Sequence, residues 1–255
     1  MVFHEFRLFQ TLLHLEFLLA ALVFPILWIT TAPYGRHNRP GWGPQISARL
    51  GWIFMEAPAA LVFGVCFISG RYDAGITGII FFLLWETHYI NRSFIYPIRK
   101  SGPMKNMPFA IVFMAFIFNT MNGYLNGRYI FHFSKGYSSS WLSDPRFLGG
   151  VVLFAGGWAI NIHSDEILGR LRKKKENAYH IPHGGCFKFV SCANYFGEIF
   201  EWTGWALATW SLPGLAFAVF TAANLIPRGR SHHLWYRSLF PDYPPERKAV
   251  IPYVF

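Results

Sequence analysis

The sequence predicts an all-α integral membrane protein: a bundle of seven transmembrane helices, with its N-terminus outside and its C-terminus in the cytoplasm. Three observations predict it. Apolar residues make up 53% of the 255 and charged residues only 14%, against about a quarter charged in an ordinary soluble domain. Apolar stretches of spanning length recur along the whole chain. The basic residues then fall mostly on one side of the bundle those stretches define. The same composition, with 27 phenylalanines, excludes disorder, a disulfide-rich module and a nucleic-acid-binding globule. Three cysteines, Cys66, Cys186 and Cys192, are an odd count at no zinc spacing.

The first span covers about 12–31. It lacks the small-residue cleavage site of a signal peptide and reads as a retained helix. The second covers 48–69, the third 75–96, the fourth 109–131 and the fifth 147–162. The stretch 195–226 is too long for one span. Ser211, Leu212, Pro213 and Gly214 break it into two helices, which makes seven. One side then holds Arg36, Arg39, Arg49, Arg92, Arg99, Lys100, Lys105, Arg170, Arg172, Lys173, Lys174, Lys175, Lys188, Arg228, Arg230, Arg237, Arg247 and Lys248. The other holds Arg7, Arg71, Arg128, Lys135 and Arg146. Positive charge accumulates in the cytoplasm, so the loop 164–194 and the tail 228–255 are expected there. The chain reads as one domain over 1–255. Its aromatic tail, with Trp235, Tyr236, Tyr243 and Tyr253, is expected to pack back onto the bundle.

Ionisable groups inside a membrane are costly and mark function. Glu16, Glu56, Glu86, Glu198 and Glu201 fall within spans, and Asp165 sits just past the fifth. Asn119, Asn122, Asn161 and Asn194 add polar groups. Glu198 and Glu201 share a helix face, as do Glu86 and Tyr89. There is no dinucleotide-binding glycine fingerprint, phosphate-binding loop or nucleophile elbow. His180, His183, His232 and His233 fall at no recognised metal spacing, so no metal is expected. The polar groups gather at the cytoplasmic half: Asn161, Asp165, Arg170 and Arg172, then Asn194, Glu198 and Glu201. Arg228, His232 and Tyr236 follow at four-residue steps, which a continuing helix would line along one face. Arginine forks suit phosphates, whereas carboxylates and amides suit ribose hydroxyls and a carboxamide. A nucleotide held beneath a membrane bundle fits this inventory. A channel or transporter would carry polar residues through to both faces.

Specific motifs accompany that inventory. The run Ala159-Ile160-Asn161-Ile162-His163-Ser164-Asp165 is followed by Leu171-Arg172-Lys173, Tyr179, Ile181-Pro182 and Gly184-Gly185. Then come Ala193-Asn194-Tyr195, Gly197-Glu198-Ile199-Phe200-Glu201-Trp202, Asp242-Tyr243-Pro244 and Ile251-Pro252-Tyr253. Weaker matches lie at Tyr34-Gly35-Arg36-His37, Trp52 with Glu56 and Pro58, and His88-Tyr89 with Arg92. The sequence thereby resembles the steroid 5-alpha-reductases, strongly over 146–255 and more weakly toward the N-terminus.

The resemblance implies NADPH-dependent reduction of the 4,5 double bond of 3-oxo-4-ene steroids. It implies NADPH contacts from Asn161, Asp165, Arg172, Tyr179, Asn194, Glu198, Arg228, His232 and Tyr236. Glu56 and Tyr89 match the pair that holds the steroid 3-keto oxygen, and Trp52 and Trp202 match aromatic walls of the steroid slot. Hydride would reach C5 while charge flows to the 3-oxygen, met by the Tyr89 phenol and a neutral Glu56 carboxyl. Counted from the cytoplasmic ends of their spans, both lie roughly 10–12 Å deep at 1.5 Å per residue. The expected setting is a bacterial inner membrane or the endoplasmic reticulum, with the active site open to the cytoplasm. The steroid would enter from the bilayer, amid membrane lipid, with no nucleic acid and no obligate protein partner. Two rival chemistries share the architecture: a membrane reductase of an enoyl-coenzyme A or another sterol, and a methyltransferase using S-adenosylmethionine.

Overall fold

A computed structural model describes residues 2–33, 35–71, 74–99, 106–174 and 179–255, without the side chains of Val2, Arg36, Arg172, Lys173 and Lys174. Among the described residues, seven long helical segments make the bundle. They are α1 (Val2–Ile29), α2 (Ala48–Ile68), α3 (Gly75–Ile90), α5 (Phe109–Arg128), α6 (Pro145–Lys174), α7 (Ala193–Thr209) and α8 (Leu212–Leu239). A π-helical turn, Asn91–Ile95, and the short α4 (Tyr96–Arg99) prolong α3, and a second π turn, Tyr129–Phe133, ends α5. Two-residue strands β1 (Gln45–Ile46) and β2 (Met107–Pro108) pair antiparallel and tie the entry of α2 to that of α5.

Among the described residues, four segments are long and apolar enough to cross a membrane: Phe3–Ile29, Ala48–Ile68, Phe109–Phe133 and Pro145–Leu171. The distribution of side chains is that of a bundle dissolved in lipid. Ile68, Ile29 and Val152 point outward, while Glu16, His88, Asn119, Asn122, Asn126, Asn161 and Glu201 are buried. In hydrocarbon polar groups must satisfy one another inside, and most of these do, although both Glu16 oxygens find no partner among the described residues.

Hydropathy located the helices but misjudged three of their ends. α1 begins at Val2 rather than near 12. α6 does not stop near 162; it runs to Lys174, so the polar stretch from Ser164 opens as about three more turns. Hydropathy reports where lipid ends, whereas Glu166, Leu168, Arg170 and Leu171 are all good helix formers and carry the helix on. α8 likewise continues to Leu239, so the first part of the expected tail is helical. The break between α7 and α8 falls where Pro213 and Gly214 put it. Trp210 is left-handed at φ 44°, and the Ser211 hydroxyl accepts the Gly214 N–H at 3.1 Å to cap α8.

Small residues set the closest packing. A methyl on Gly157 of α6 would lie 2.5 Å from the Gly197 carbonyl of α7 and collide with the Glu201 backbone nitrogen. One on Gly197 would lie 2.6 Å from the Asn161 nitrogen, and Gly150 and Gly204 repeat this pattern one heptad along each helix. Backbones approach this closely in membranes only through such residues. Gly123 of α5 sits in the same way against Ala59 of α2. Beyond α8 the chain returns to the bundle as expected. Lys248 bridges to Val190 in parallel, and Arg247 donates to the Pro182 carbonyl at 3.0 Å. Ser191 lies 2.6 Å from both His233 Nδ1 and the Tyr243 hydroxyl. Burial, with the Arg237 and Lys248 cations nearby, lowers the His233 pKa, so its neutral ring can accept the Ser191 hydroxyl.

Candidate active site

The α6–α7 contact brings the first group of polar residues together. Asn161 Nδ2 donates to the Asn194 carbonyl at 2.9 Å and to Glu198 Oε2 at 3.3 Å. Asn194 Nδ2 donates to Asp165 Oδ1 at 3.3 Å. Into this cluster reaches Arg92, from the π turn after α3. It donates to Asp165 at 3.1 Å and to Glu198 at 3.3 Å. Its guanidinium lies over Trp52 at 5.0 Å and Tyr96 at 5.2 Å. Two carboxylates, two carboxamides and one arginine thus share a hub. Trp52 is the floor under its cation, a cation–π contact.

The second group lies deeper. Glu56 on α2 and Tyr89 on α3 do not bond each other; each is held by α5. Asn119 Nδ2 donates to Glu56 Oε2 at 3.2 Å and to the Met55 carbonyl at 2.6 Å. Asn122 Nδ2 donates to the Tyr89 oxygen at 3.4 Å. Asn119 and Asn122 are one helical turn apart, so carboxyl and phenol meet at matching depth on a third helix rather than by direct contact. Beside them, His88 Nδ1 lies 2.7 Å from Glu201 Oε1, fully buried. Trp202 is 1% exposed and is wedged between His88 at 4.6 Å, Tyr89 at 5.7 Å and Phe217 at 4.3 Å. The His88–Glu201 pair lies one helical turn from the Arg92–Glu198 pair along the same two segments, so the two groups adjoin.

A third group lines α8. Arg228 donates to the Tyr195 hydroxyl and to Asn224, each at 3.0 Å. His232 lies 3.3 Å from the Tyr195 hydroxyl and 3.3 Å from His37, on which it stacks. Tyr236 is buried and stacks on Tyr243 at 5.5 Å, while Tyr179 packs edge-on against Trp235 at 4.8 Å. Arg228, His232 and Tyr236 share one helix, as their four-residue steps require. The Arg172 side chain lies outside the described residues.

This donor set fits a phosphorylated dinucleotide. Asp165 and Glu198 can accept ribose hydroxyls, and Asn161 and Asn194 can both donate and accept. Arg228 and His232 offer N–H donors toward phosphate at the rim. Among the described residues, no group of three His, Cys, Asp or Glu could hold a metal.

Several contributors were not singled out in the sequence. Arg92 entered there only as a basic residue and a motif position, yet it is the hub. His88 and Arg92 are four apart, a spacing that aims both at one face. Asn126 was overlooked, although Asn119, Asn122 and Asn126 at i, i+3 and i+7 form a polar stripe on an apolar span. Tyr195 and His37 entered only as motif positions until the tertiary structure joined them to α8.

Comparison with known proteins bears on the whole chain. Residues 105–255 match the family model described as 3-oxo-5-alpha-steroid 4-dehydrogenase, a span that includes α5. The chain is 42% identical over 254 residues to "Steroid 5-alpha-reductase DET2" of Gossypium hirsutum, covering 96% of this chain and 98% of that protein. It is 42% identical over 253 residues to "3-oxo-5-alpha-steroid 4-dehydrogenase 1" of Homo sapiens, covering 98% and 97%. The bovine protein of that name, from Bos taurus, is 42% identical over 251 residues, covering 97% of each.

Proposed function

Because the chain belongs to the 3-oxo-5-alpha-steroid 4-dehydrogenase family of oxidoreductases, we propose that it reduces the 4,5 double bond of 3-oxo-4-ene steroids with NADPH. The observation that carries this reading is the pairing of Glu56 and Tyr89 by consecutive α5 asparagines, next to the Arg92 hub. A donor pair at one depth suits a ketone, and a carboxylate–amide cluster above it suits a nucleotide. NADPH, when bound, would supply the hydride that C5 receives, and a proton taken up at C4 would complete the reduction. Tyr89 donates its hydroxyl hydrogen to the steroid 3-oxygen as negative charge develops there, and a neutral Glu56 carboxyl donates a second bond or orients the first. Such preorganised donors act where charge appears, in a site that excludes water. Trp202 and Trp52 flank the ring system. Asn161, Asp165, Asn194 and Glu198 hold the nucleotide, and Arg172, Tyr179, Arg228, His232 and Tyr236 complete its cradle.

The seven long helices support seven spans, although α3 and α7 have only 16 and 17 residues. The basic residues support an outside N-terminus and a cytoplasmic C-terminus. The nucleotide then arrives from the cytoplasm and the steroid from the bilayer, in a bacterial inner membrane or the endoplasmic reticulum.

The test is purified protein with NADPH and a panel of 3-oxo-4-ene steroids, with products identified by mass and by configuration at C5. Products carrying two added hydrogens and the 5-alpha configuration are expected. NADPH oxidation only with an enoyl-coenzyme A or a sterol lacking the ketone would move the substrate elsewhere.

A further inference from the structure

The Tyr89 oxygen is the end of a hydrogen-bond chain that starts on another helix. Trp205 Nε1 of α7 donates to Asn126 Oδ1 at 2.8 Å. Asn126 Nδ2 donates to Asn122 Oδ1 at 2.8 Å and to the Asn122 carbonyl at 3.1 Å. Asn122 Nδ2 then donates to Tyr89. We propose that Trp205 and Asn126 are positioning residues that fix, through Asn122, the direction in which Tyr89 points its hydroxyl hydrogen.

The argument is one of polarity. An indole N–H donates and cannot accept. Asn126 must therefore turn its oxygen to Trp205 and its amide nitrogen to Asn122. Asn122 in turn presents its oxygen to Asn126 and its nitrogen to Tyr89. The phenol oxygen thus receives a hydrogen from Asn122, and its own hydrogen cannot point back along that line; it is left for the polar interior. All four side chains are at most 2% exposed, so water does not compete for these bonds. Links that donate in the same sense polarise one another, so the chain also makes Tyr89 a stronger donor as charge grows on its partner. Both amides are neutral, which avoids placing an unpaired charge at that depth.

The proposal rests on Tyr89 as donor to the steroid ketone, and the test separates the two. Trp205→Phe keeps an aromatic ring against Trp85, which links Trp205 to Tyr89 by tilted ring contacts as well. Asn126→Leu removes the middle link instead. Each is measured alone and combined with Tyr89→Phe, for kcat, steroid KM and NADPH affinity. Alone, each should lower kcat about tenfold, with KM and NADPH affinity within about twofold. In the Tyr89→Phe background neither should lower kcat further, because the group it positions is gone. Asn126→Gln, which can still accept and donate, should recover part of what Asn126→Leu loses. Wild-type kcat in both single variants would overturn the relay. So would an equal fold-loss in both backgrounds, or NADPH affinity falling in step with kcat, since either marks a packing role. Wild-type turnover in Tyr89→Phe itself would overturn the donor reading, and the relay with it.

Discussion

The α6–α7 region and the α2–α3–α5 region border the same interior but are built from opposite materials. The first is charged: Asp165, Glu198 and Arg92 meet beside two asparagines, on helices locked by glycine. The second carries fewer charges: a phenol, a carboxyl and a stripe of amides on α2, α3 and α5, beside the single His88–Glu201 pair. The difference matches what the proposed function asks of each. A nucleotide arrives charged and solvated, so ionic partners near the cytoplasm suit it. A ketone acquires charge only during reaction, so neutral donors already aimed at it suit the deeper half. Charge there would have to be desolvated in advance, at a cost of several kcal/mol.

The comparison breaks most completely at Gly157. Gly157→Leu would force a side chain into the α7 backbone, with nowhere for rigid backbone to yield. Folded protein should be lost, read as loss of NADPH binding and of a cooperative thermal transition together. Tyr89→Phe comes next. It should lower kcat by about a hundredfold to a thousandfold, as for other oxyanion donors, while NADPH affinity stays put. That outcome would place the two regions' duties on separate measurements. Glu56 sharpens the neutral side: Glu56→Leu should lower kcat by roughly tenfold to a hundredfold. Glu56→Gln should cost only severalfold, because an amide still donates. Equal losses in both would mean that the carboxyl acts by charge. The smallest effect is expected at Arg172→Ala, which should weaken NADPH binding about tenfold, the worth of one charge-assisted contact, with kcat unchanged at saturating cofactor.

The two regions also differed in how far the sequence disclosed them. Asn161, Asp165, Asn194 and Glu198 lie on helices consecutive in the chain, inside dense motifs, and their convergence was expected. So was the shared face of Arg228, His232 and Tyr236. Glu56 and Tyr89 were expected at similar depth; the structure links each to α5, through Asn119 and Asn122, rather than to the other. Asn119 and Asn122 were visible as polar groups in a span without a stated partner. Arg92 was hidden by the sorting of basic residues into topology. An arginine near a helix end reads as a cytoplasmic anchor until the tertiary structure supplies its carboxylate partners. The ends of α1, α6 and α8 were misjudged for a related reason: membrane hydropathy and helix formation are different properties, and charged helix formers satisfy only the second.

The π turn at Asn91–Ile95 divides one helix into two angular frames. A π turn is what an α-helix becomes on gaining a single residue. Upstream, the frame aims His88 and Tyr89 at the ketone side. Downstream, it sets Tyr96 against Trp52 and Arg99 toward Glu166. Removing one residue from the turn would restore α geometry and leave the segments on either side, with Tyr89 and Tyr96, in nearly their present orientation. The change would fall on the turn itself, drawing Arg92 away from Asp165 and Glu198 while the helix on either side stayed in place.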